Sequence, residues 1–345
     1  MGPGGLVSTL TVVGAGNIGS HLLSHLARLP EVEAIRIVDP DRYEAKNLTG
    51  QDIVAAQVGK PKALAQARRL RAIRRDLNLE PFIAKVEDIP PGRLACDLLL
   101  ACLDSRRARQ RVNETAWRLG VPWIDAGVRP AEMLVRVSVY VPSPEAPCME
   151  CAWSDRDYAL VEQVYPCNAP ATAQSTDAPS GLGALAAALQ AVECRRLLSG
   201  DLSMAGKQLV MDAGSHRLLL TTIPRNQACR FDHRLWRIEG TLSAALPLDK
   251  VLAMGPLTVP GKFFTTVLFC LACGRRRNTL KLTDSAGLVT GRCRRCGGAL
   301  QAPGFELMER LDGGLPARLR RLPLCCLGLR PGDFLSAGDR HFQVN

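Results

Sequence analysis

The chain has 345 residues, of which 47% are hydrophobic and 22% are charged. This composition is that of a folded globular protein and excludes disordered and fibrous classes. No run of 18 apolar residues occurs, which argues against a membrane-spanning helix. The apolar run near the N-terminus has no basic stretch before it and continues into a glycine motif, so we expect a first strand rather than a secretion signal.

The cysteines and the net charge limit the compartment and the partners. Thirteen cysteines, with three pairs spaced as CxxC, favour reduced thiols and bound metal over disulfides in a chain without a secretion signal. We therefore expect a cytoplasmic protein that does not contact a membrane. The net charge of +11 includes arginine-rich stretches at 68–75, 105–111 and 275–277. Such stretches are typical of solvated helix faces, but they also suit an acidic partner such as a nucleotide, an acidic protein or nucleic acid.

Strand and helix patterns alternate along the first two-thirds of the chain. Strand patterns occupy 8–19, 33–39, 96–104, 121–127 and 131–141, and a hairpin is expected at 209–224. Helical spacing occurs at 20–28, at 61–77, between residue 104 and Trp117, and at 182–198. This alternation predicts an α/β fold with a doubly wound, Rossmann-like, mostly parallel sheet. Because short strands follow residue 236, we expect two domains, 1–236 and a small β-rich domain at 237–345.

A glycine motif between the first strand and the first helix predicts a nucleotide site. Gly14, Gly16 and Gly19 form GxGxxG, and Asp39 ends the second strand 20 residues after Gly19. The glycines let the backbone approach phosphate at a helix N-terminus, and an acid at this spacing bonds ribose hydroxyls. Taken alone, this motif fits an NAD-dependent oxidoreductase as well as an ATP-binding enzyme.

Two charged residues favour ATP over NAD. Lys62 stands at the start of a predicted helix, and Asp104 ends a later strand at the ligand-binding edge of the sheet. A lysine and an acid in one crevice suit a triphosphate and its Mg²⁺, whereas hydride transfer needs neither. The alternative is a surface lysine and an aspartate that caps the helix at "SRRARQ".

The order of motifs GAGNIGS, DPD, KNLTGQ, GKPK, LDS and CMEC resembles the ThiF/MoeB/ubiquitin-activating superfamily across residues 8–235. The similarity is strongest to bacterial activating enzymes of ubiquitin-like conjugation operons, some of which are antiviral. The resemblance implies an adenylyltransferase that activates the C-terminal glycine of a ubiquitin-like protein and passes it to a conjugating enzyme. It also implies a homodimer, and nucleic acid is not an expected partner.

The resemblance also assigns residues to ATP and Mg²⁺. It implies that ATP contacts Gly14, Gly16, Asn17, Gly19, Asp39, Asp41, Asn47, Gln51 and Lys62, and that Asp104 supports Mg²⁺. The sequence departs from the family at Gly50, because the family's N-L-x-R-Q reads "NLTGQ" here and a phosphate-binding arginine is missing. We expect Lys60 or Arg106 to supply that charge, or adenylation to be slower.

Four cysteines near the C-terminus have the spacing of a zinc ribbon. Cys270 and Cys273 form one CxxC pair and Cys293 and Cys296 another, with 19 residues between the pairs. Four thiolates bind Zn²⁺ tetrahedrally and stabilise a module too small to fold on its own core. We expect a structural zinc ribbon at about 266–300; a redox pair is the alternative.

A third CxxC pair, Cys148 and Cys151, predicts a second zinc site. The resemblance places the partner ligands far downstream, where this chain has Cys229 and His233. Together these four residues form a Cys₃His set, with Asp232 as a reserve ligand. Two structural zinc ions are therefore expected.

Six cysteines lie outside both predicted zinc sites: Cys96, Cys102, Cys167, Cys194, Cys325 and Cys326. All except Cys167 lie in strand, helix or leucine-rich contexts that favour a packing role. The resemblance implies that Cys167, in "YPCNAP", is a thioester-forming nucleophile in a crossover loop at about 152–181, with Asn168, Thr172 and Thr176 able to assist. The alternative is an inert loop thiol.

Three other functions compete with ubiquitin-like activation. A ThiF/MoeB-type adenylyltransferase for a sulfur-carrier protein would need no enzyme thioester. An NAD-dependent oxidoreductase would use only the glycine motif. A zinc-ribbon nucleic-acid binder would use the arginines of the ribbon, although interleaved aromatic residues are lacking there. For the C-terminal domain we expect a docking role toward a protein partner.

Overall fold

The computed structural model describes residues 8–162, 178–284 and 287–345. These residues form two compact units. The first consists of the described residues within Met1–Ile89 and Leu94–Leu235, and the second of those within Pro90–Arg93 and Trp236–Asn345. None of the helices in the described ranges is long and apolar enough to cross a membrane.

An eight-stranded sheet forms the centre of the first unit. Its strands are β1 (Ser8–Val13), β2 (Val32–Val38), β3 (Asn78–Phe82), β4 (Leu98–Ala101), β5 (Trp123–Arg129), β6 (Leu134–Tyr140), β7 (Lys207–Asp212) and β8 (Arg217–Thr222). Their order is β3-β2-β1-β4-β5-β6-β7-β8. The first five strands are parallel, and β6, β7 and β8 continue the sheet antiparallel. The predicted mostly parallel, doubly wound sheet is confirmed, including the hairpin β7–β8.

Helices cover both faces of this sheet. They are α1 (Asn17–Leu26), α2 (Lys62–Ile73), α3 (Arg106–Leu119), α4 (Asp155–Glu162) and α5 (Ser180–Leu198). Because strand side chains alternate, Leu98 and Leu100 pack in one core with α1, α2 and α5, whereas Leu99 packs in a second core with α3.

Two local predictions for this unit need correction, and one strand is additional to the predicted elements. The helix predicted at 61–77 ends at Ile73, because Arg74 is extended and its guanidinium bonds the carbonyls of Leu29 and Val32. β3 was not predicted, since it contains Pro81 and lies at the sheet edge where proline is tolerated. The expected crossover loop at 152–181 begins with α4, near whose start Asp157 accepts hydrogen bonds from the backbone and hydroxyl of Ser154 at 3.0 and 2.7 Å.

The second unit contains two sheets. A five-stranded sheet has the order β15-β10-β16-β17-β9, and a four-stranded antiparallel sheet has the order β12-β11-β14-β13. The strands are β9 (Ile238–Leu242), β10 (Leu257–Thr258), β11 (Phe263–Cys270), β12 (Arg276–Thr283), β13 (Leu288–Arg292), β14 (Ala299–Gln301), β15 (Arg310–Leu311), β16 (Phe334–Ala337) and β17 (Arg340–Val344). Three short helices are α6 (Leu248–Leu252), α7 (Ala317–Arg320) and α8 (Leu324–Leu327).

The packing role that the sequence predicts for the two cysteines of helix α8 is wrong. Leu324 and Leu327, three residues apart, share the buried face of the helix, and both are fully buried in the apolar core of this unit. Cys325 and Cys326 lie between them and are exposed. The predicted packing role fits Cys194, which is buried on α5.

Candidate nucleotide site and metal centres

The carboxyl ends of three neighbouring strands form a crevice in the first unit. Val13 at the end of β1 pairs with Val38 of β2 on one side and with Ala101 of β4 on the other. The chain runs outward from β1 through β2 to β3 and then returns to β4, so the strand order reverses beside β1. Open α/β sheets bind ligands outside the carboxyl ends of their strands at this kind of position.

The glycine loop between β1 and α1 depends on close backbone contacts. Gly14 has φ +96°, and a Cβ there would lie 2.3 Å from the carbonyl oxygen of Cys102. A Cβ on Gly19 would lie 1.9 Å from the carbonyl oxygen of Gly14. Gly16, in contrast, has nothing within 4 Å of its Cβ direction. Two glycines therefore pack the loop, and the third leaves open space at the N-terminus of α1.

The buried carboxylate of Asp39 holds this loop in place. It is 4% exposed and accepts hydrogen bonds from the backbone N–H groups of Ala15 and Asp41 at 2.7 and 2.8 Å. Burial raises the pKa of Asp39, although the nearby charge of Lys62 and the two backbone donors oppose the shift. Each carboxylate oxygen retains a second lone pair, which can accept a bond from a ligand hydroxyl.

Lys62 is directed to the same loop by a charged partner. Its Nζ atom lies 3.2 Å from an Asp41 carboxylate oxygen, and its side chain is only 11% exposed. The backbone N–H of Lys62 donates to the carbonyl of Asp41 at 2.9 Å. The Lys62 ammonium group therefore lies at the beginning of α2, near the loop whose backbone N–H groups bond Asp39.

A buried tyrosine supports the loop in a way that the sequence did not reveal. The Tyr43 hydroxyl donates to the carbonyl of Ala15 at 2.9 Å and accepts a bond from Gln66 Nε2 at 2.7 Å. Tyr43 is 1% exposed, and burial raises its pKa, so the phenol stays protonated and keeps donating. Only the position of Tyr43 just after "VDPDR" could have suggested this role.

The segment around Gly50 is tied to α1 and to the start of α5. Asn17 Nδ2 donates to the carbonyl of Gly50 and, at 3.0 Å, to that of Ala178. A Cβ on Gly50 would lie 2.8 Å from the Ala178 oxygen. The Asn17 side chain thus bonds protein carbonyls, and the backbone leaves no room for an arginine at position 50.

The side-chain amides of Asn47 and Gln51 and the cations Lys60 and Arg106 differ in how free they are to bind a ligand. Asn47 Oδ1 accepts the backbone N–H of Glu44 at 2.8 Å. Gln51 Oε1 is buried and has no hydrogen-bond partner in the described part of the chain, so it is an acceptor that a ligand could satisfy. Of the two cations expected to replace the arginine, Arg106 pairs with Asp157 at 3.2 Å and Lys60 is exposed.

The alternative capping role for Asp104 is wrong. Ser105 is the N-cap of α3, and its side chain accepts the backbone N–H of Ala108 at 3.3 Å. Asp104 is exposed, three residues after β4 ends, and forms no hydrogen bond or ion pair with the described residues. Its carboxylate is therefore available to a ligand at the carboxyl edge of the sheet.

A Cys₃His cluster brings together residues from distant parts of the first unit: Cys148, Cys151, Cys229 and His233. Their ligand atoms lie within 4.8 Å of one another, so the set could hold a metal ion. The His233 Nδ1–H donates to the carbonyl of Phe231 at 2.7 Å, which leaves Nε2 with a free lone pair, 3.3 Å from the Cys151 sulfur. This set fits Zn²⁺ well.

Asp232, the reserve ligand, is engaged elsewhere. Its two carboxylate oxygens accept bonds from Arg118 at 2.8 and 2.9 Å, and Arg118 also donates to the carbonyl of Arg234 at 2.7 Å. This bidentate pair fixes the chain on both sides of His233 and keeps the Asp232 carboxylate off the cluster.

The second unit contains a Cys₄ cluster of two similar turns, formed by Cys270, Cys273, Cys293 and Cys296. The four sulfur atoms lie within 4.8 Å of one another and could bind zinc. In each turn the backbone N–H of the first cysteine donates to the carbonyl oxygen five residues later. Cys270 donates to Arg275 at 3.0 Å, and Cys293 donates to Gly298 at 2.8 Å. Gly274 and Gly297 have φ +67° and +73°, which suits the turn expected after each pair.

The predicted nucleophile cannot be placed in this geometry. Cys167, together with Asn168, Thr172 and Thr176, lies outside the described residues. Seven of the other cysteines belong to the two clusters, Cys194 is buried, and Cys96 and Cys102 are half-buried. Burial raises the pKa of both Cys96 and Cys102, so neither is activated as a thiolate.

The fold and the crevice define a nucleotide-binding α/β domain. The model of the ThiF family matches residues 6–231, which is more than half of the chain, and the chain therefore belongs to the ThiF family. The adenylyltransferases and activating enzymes of this family are ATP-dependent enzymes.

Several curated proteins are similar over this region. The chain is 28% identical to the adenylyltransferase and sulfurtransferase UBA4 of Yarrowia lipolytica, over 55% of this chain and 46% of that protein. It is 27% identical to a sulfur carrier protein adenylyltransferase of Thermus thermophilus, over 64% of this chain and 81% of that protein. It is also 27% identical to ubiquitin-like modifier-activating enzyme 5 of Oryza sativa, over 42% of this chain and 37% of that protein. The chain thus spans less than half of two of these three relatives.

A solved structure of Escherichia coli MccB with ATP shares the fold. The TM-score is 0.52 with 20% sequence identity, over 66% of this chain and 67% of MccB.

Proposed function

We propose that this chain is an ATP-dependent adenylyltransferase that activates the C-terminal glycine of a ubiquitin-like protein. The observation that carries the proposal is the crevice beside β1, where an open glycine loop, a buried Asp39 and a free Asp104 follow three neighbouring strands. Gln51 follows Gly50, whose carbonyl is bonded by Asn17 of α1, and adds a buried acceptor that has no partner among the described residues.

The crevice residues fit a triphosphate. Backbone N–H groups at the start of α1 favour the anionic phosphates, and the charge of Lys62 compensates further negative charge. Asp39 accepts bonds from the ribose, and Asp104 supports Mg²⁺, which shields the phosphates when bound. ATP and the partner's carboxylate are the substrates: a carboxylate oxygen bonds the α-phosphorus, the bond from this phosphorus to the bridging oxygen breaks, and pyrophosphate leaves.

A thioester step on Cys167 is the finer part of the proposal. The thiolate attacks the acyl carbon, AMP leaves with the bonding electrons, and the acyl group then passes to the thiol of a conjugating enzyme. Support comes from the family resemblance around "YPCNAP" and from the other cysteines, which lie in clusters, in packed positions or at exposed α8. The homodimer, the cytoplasmic setting and an antiviral role stay predictions from the sequence.

Both cysteine clusters are proposed as structural zinc sites. The Cys₃His set would join the segment after β6 to the segment after β8, and the Cys₄ set would stabilise a zinc ribbon at about 266–300. Neither set offers an open ligand position within its four residues, so a catalytic metal is not proposed.

Adenylation of a sulfur-carrier protein is the second candidate. The names of the relatives from Thermus thermophilus and Yarrowia lipolytica favour it, since they describe sulfur-carrier adenylation and sulfur transfer. In that case the acyl adenylate is the end product of this chain, and Cys167 is dispensable.

One pair of measurements separates these functions. ATP–pyrophosphate exchange that depends on a ubiquitin-fold protein ending in glycine supports adenylation, whereas saturable NADH binding without exchange would indicate an oxidoreductase. With Cys167→Ala, exchange is expected to continue while a thiol-sensitive adduct and onward transfer are lost. Onward transfer by the variant at the rate of the unmodified enzyme would favour the sulfur-carrier function.

A further inference from the structure

Six arginines surround the Cys₄ cluster in the second unit, and we call them the knuckle arginines: Arg275, Arg276, Arg277, Arg292, Arg294 and Arg295. All six are exposed. The segment 263–301 carries seven cationic side chains and one carboxylate, so this short stretch accounts for +6 of the net charge of +11.

The sheet order places three of these arginines on its two end strands. Arg276 and Arg277 begin β12, and Arg292 ends β13, and these are the two edge strands of the order β12-β11-β14-β13. Cα atoms of β12 and β13 nevertheless come within 8 Å of one another, so the sheet curls and brings these two strands close together. Arg294 and Arg295 lie in the second cysteine turn, between Cys293 and Cys296.

Few carboxylates compensate the charge of this group, although a Zn²⁺ ion held by the four thiolates would add net negative charge beside it. Arg276 lies 3.9 Å from a Glu306 carboxylate oxygen. The other five have no carboxylate within ion-pair distance among the described residues. Exposed guanidinium groups that repel one another lower the stability of the fold, and an anionic partner would relieve this repulsion.

An exposed leucine lies near these arginines along the chain and across the sheet. Leu271, in the first cysteine turn, is 47% exposed, and its backbone N–H donates to the carbonyl of Ala299 at 3.0 Å. Ala299 also pairs with Arg292 across β13 and β14. Arginine is enriched at protein–protein interfaces, whose cores also contain apolar side chains, so an exposed leucine in the same module suits such an interface.

We propose that the knuckle arginines and Leu271 form a docking surface for an acidic protein segment with carboxylates around an apolar side chain. Guanidinium groups pair with carboxylates through two parallel hydrogen bonds, and Leu271 supplies the apolar contact. Nucleic acid is less favoured, because Phe264 of β11 is buried and Phe263 and Phe269 are half-buried, which leaves bases little stacking surface. This inference does not depend on the proposed reaction.

The test uses the full chain and two fluorescent peptides, one of alternating Glu and Leu and one of alternating Glu and Ser. Anisotropy titrations should give tighter binding of the Glu–Leu peptide than of the Glu–Ser peptide. The R292E/R294E/R295E variant should lose about ten-fold or more in affinity, since three charge pairs are reversed. R292K/R294K/R295K keeps the charge and the fold but loses the forked donors, and it should bind more weakly than the original chain.

The matched control is R68E/R71E/R75E, which reverses the same number of charges at three exposed arginines in and just after α2 of the first unit. It should leave peptide affinity within about two-fold, because none of these three arginines belongs to the proposed docking surface. An equal loss in this control would overturn the docking surface in favour of unspecific charge attraction. Preferential, steeply salt-dependent binding of a DNA duplex that needs the same arginines would overturn it in favour of nucleic acid.

Discussion

A Cβ atom on Gly50 would lie 2.8 Å from the carbonyl oxygen of Ala178, a residue 128 positions later in the chain. Asn17 Nδ2 donates to the carbonyls of both residues, so the beginning of α1 is joined to two distant segments. The resemblance implies an arginine at position 50, and the contact with Ala178 is a packing reason for the glycine that this chain has there.

Replacing Gly50 tests this contact. Gly50→Ala should lower the free energy of unfolding by about 1–3 kcal/mol, the usual cost of overpacking, and Gly50→Arg should cost at least as much without improving the KM for ATP. Thermal unfolding and pyrophosphate exchange measure the two effects. Gly181→Ala is the control, since its Cβ meets nothing within 4 Å, and it should not destabilise the fold. A Gly50→Arg variant with unchanged stability and a lower KM would contradict this account.

Features that depend on neighbouring residues could be predicted from the sequence, and contacts between distant segments could not. The spacing of Gly14 and Gly19 to Asp39 indicates the crevice, and the two CxxC pairs indicate the Cys₄ cluster, because both patterns are local. In contrast, no pattern reveals that Tyr43 donates to Ala15, since that bond depends on how the segment after β2 folds back. Family resemblance was needed to pair the third CxxC with Cys229 and His233.

Acid should weaken the first unit through His21. Its Nε2 atom lies 3.1 Å from Ser180 Oγ, and an Asp52 carboxylate oxygen lies 3.9 Å from Nδ1. Burial lowers the pKa of His21 below 6.5; Asp52 opposes this shift, while Arg69 and His25 add to it. The unfolded chain therefore binds a proton at a higher pH than the folded chain, and the free energy of unfolding falls as the pH decreases below 6.5.

His21→Gln keeps a donor for Ser180 and removes the titration. Urea denaturation at pH values on both sides of 6.5 should show a pH slope smaller by at most about 1.4 kcal/mol per unit. His216→Gln, at an exposed position, should leave the profile unchanged. Identical profiles for the original chain and His21→Gln would exclude His21 as the cause.

Asp104 and Ser105 are adjacent and should give opposite results. Asp104→Asn removes the free carboxylate at the crevice, so exchange should fall about ten-fold or more and need a higher Mg²⁺ concentration, while stability is kept. Ser105→Ala removes the N-cap of α3 and should cost about 1 kcal/mol of stability, with exchange retained. If Asp104→Asn destabilises the fold instead and exchange is normal, Asp104 does not support the metal.

The Arg118–Asp232 pair makes a specific prediction for the zinc content. Because both Asp232 oxygens are engaged by Arg118, Asp232→Asn should retain two zinc ions per chain, whereas His233→Ala should lose one. Cys270→Ser should lose the other, and thermal unfolding should then detect a weakened second unit, since binding of a structural zinc contributes to folding. Elemental analysis after desalting, with thiol-specific mercurial release, gives the count. A zinc ion lost from Asp232→Asn but kept in His233→Ala would mean that the aspartate, and not the histidine, completes the Cys₃ set.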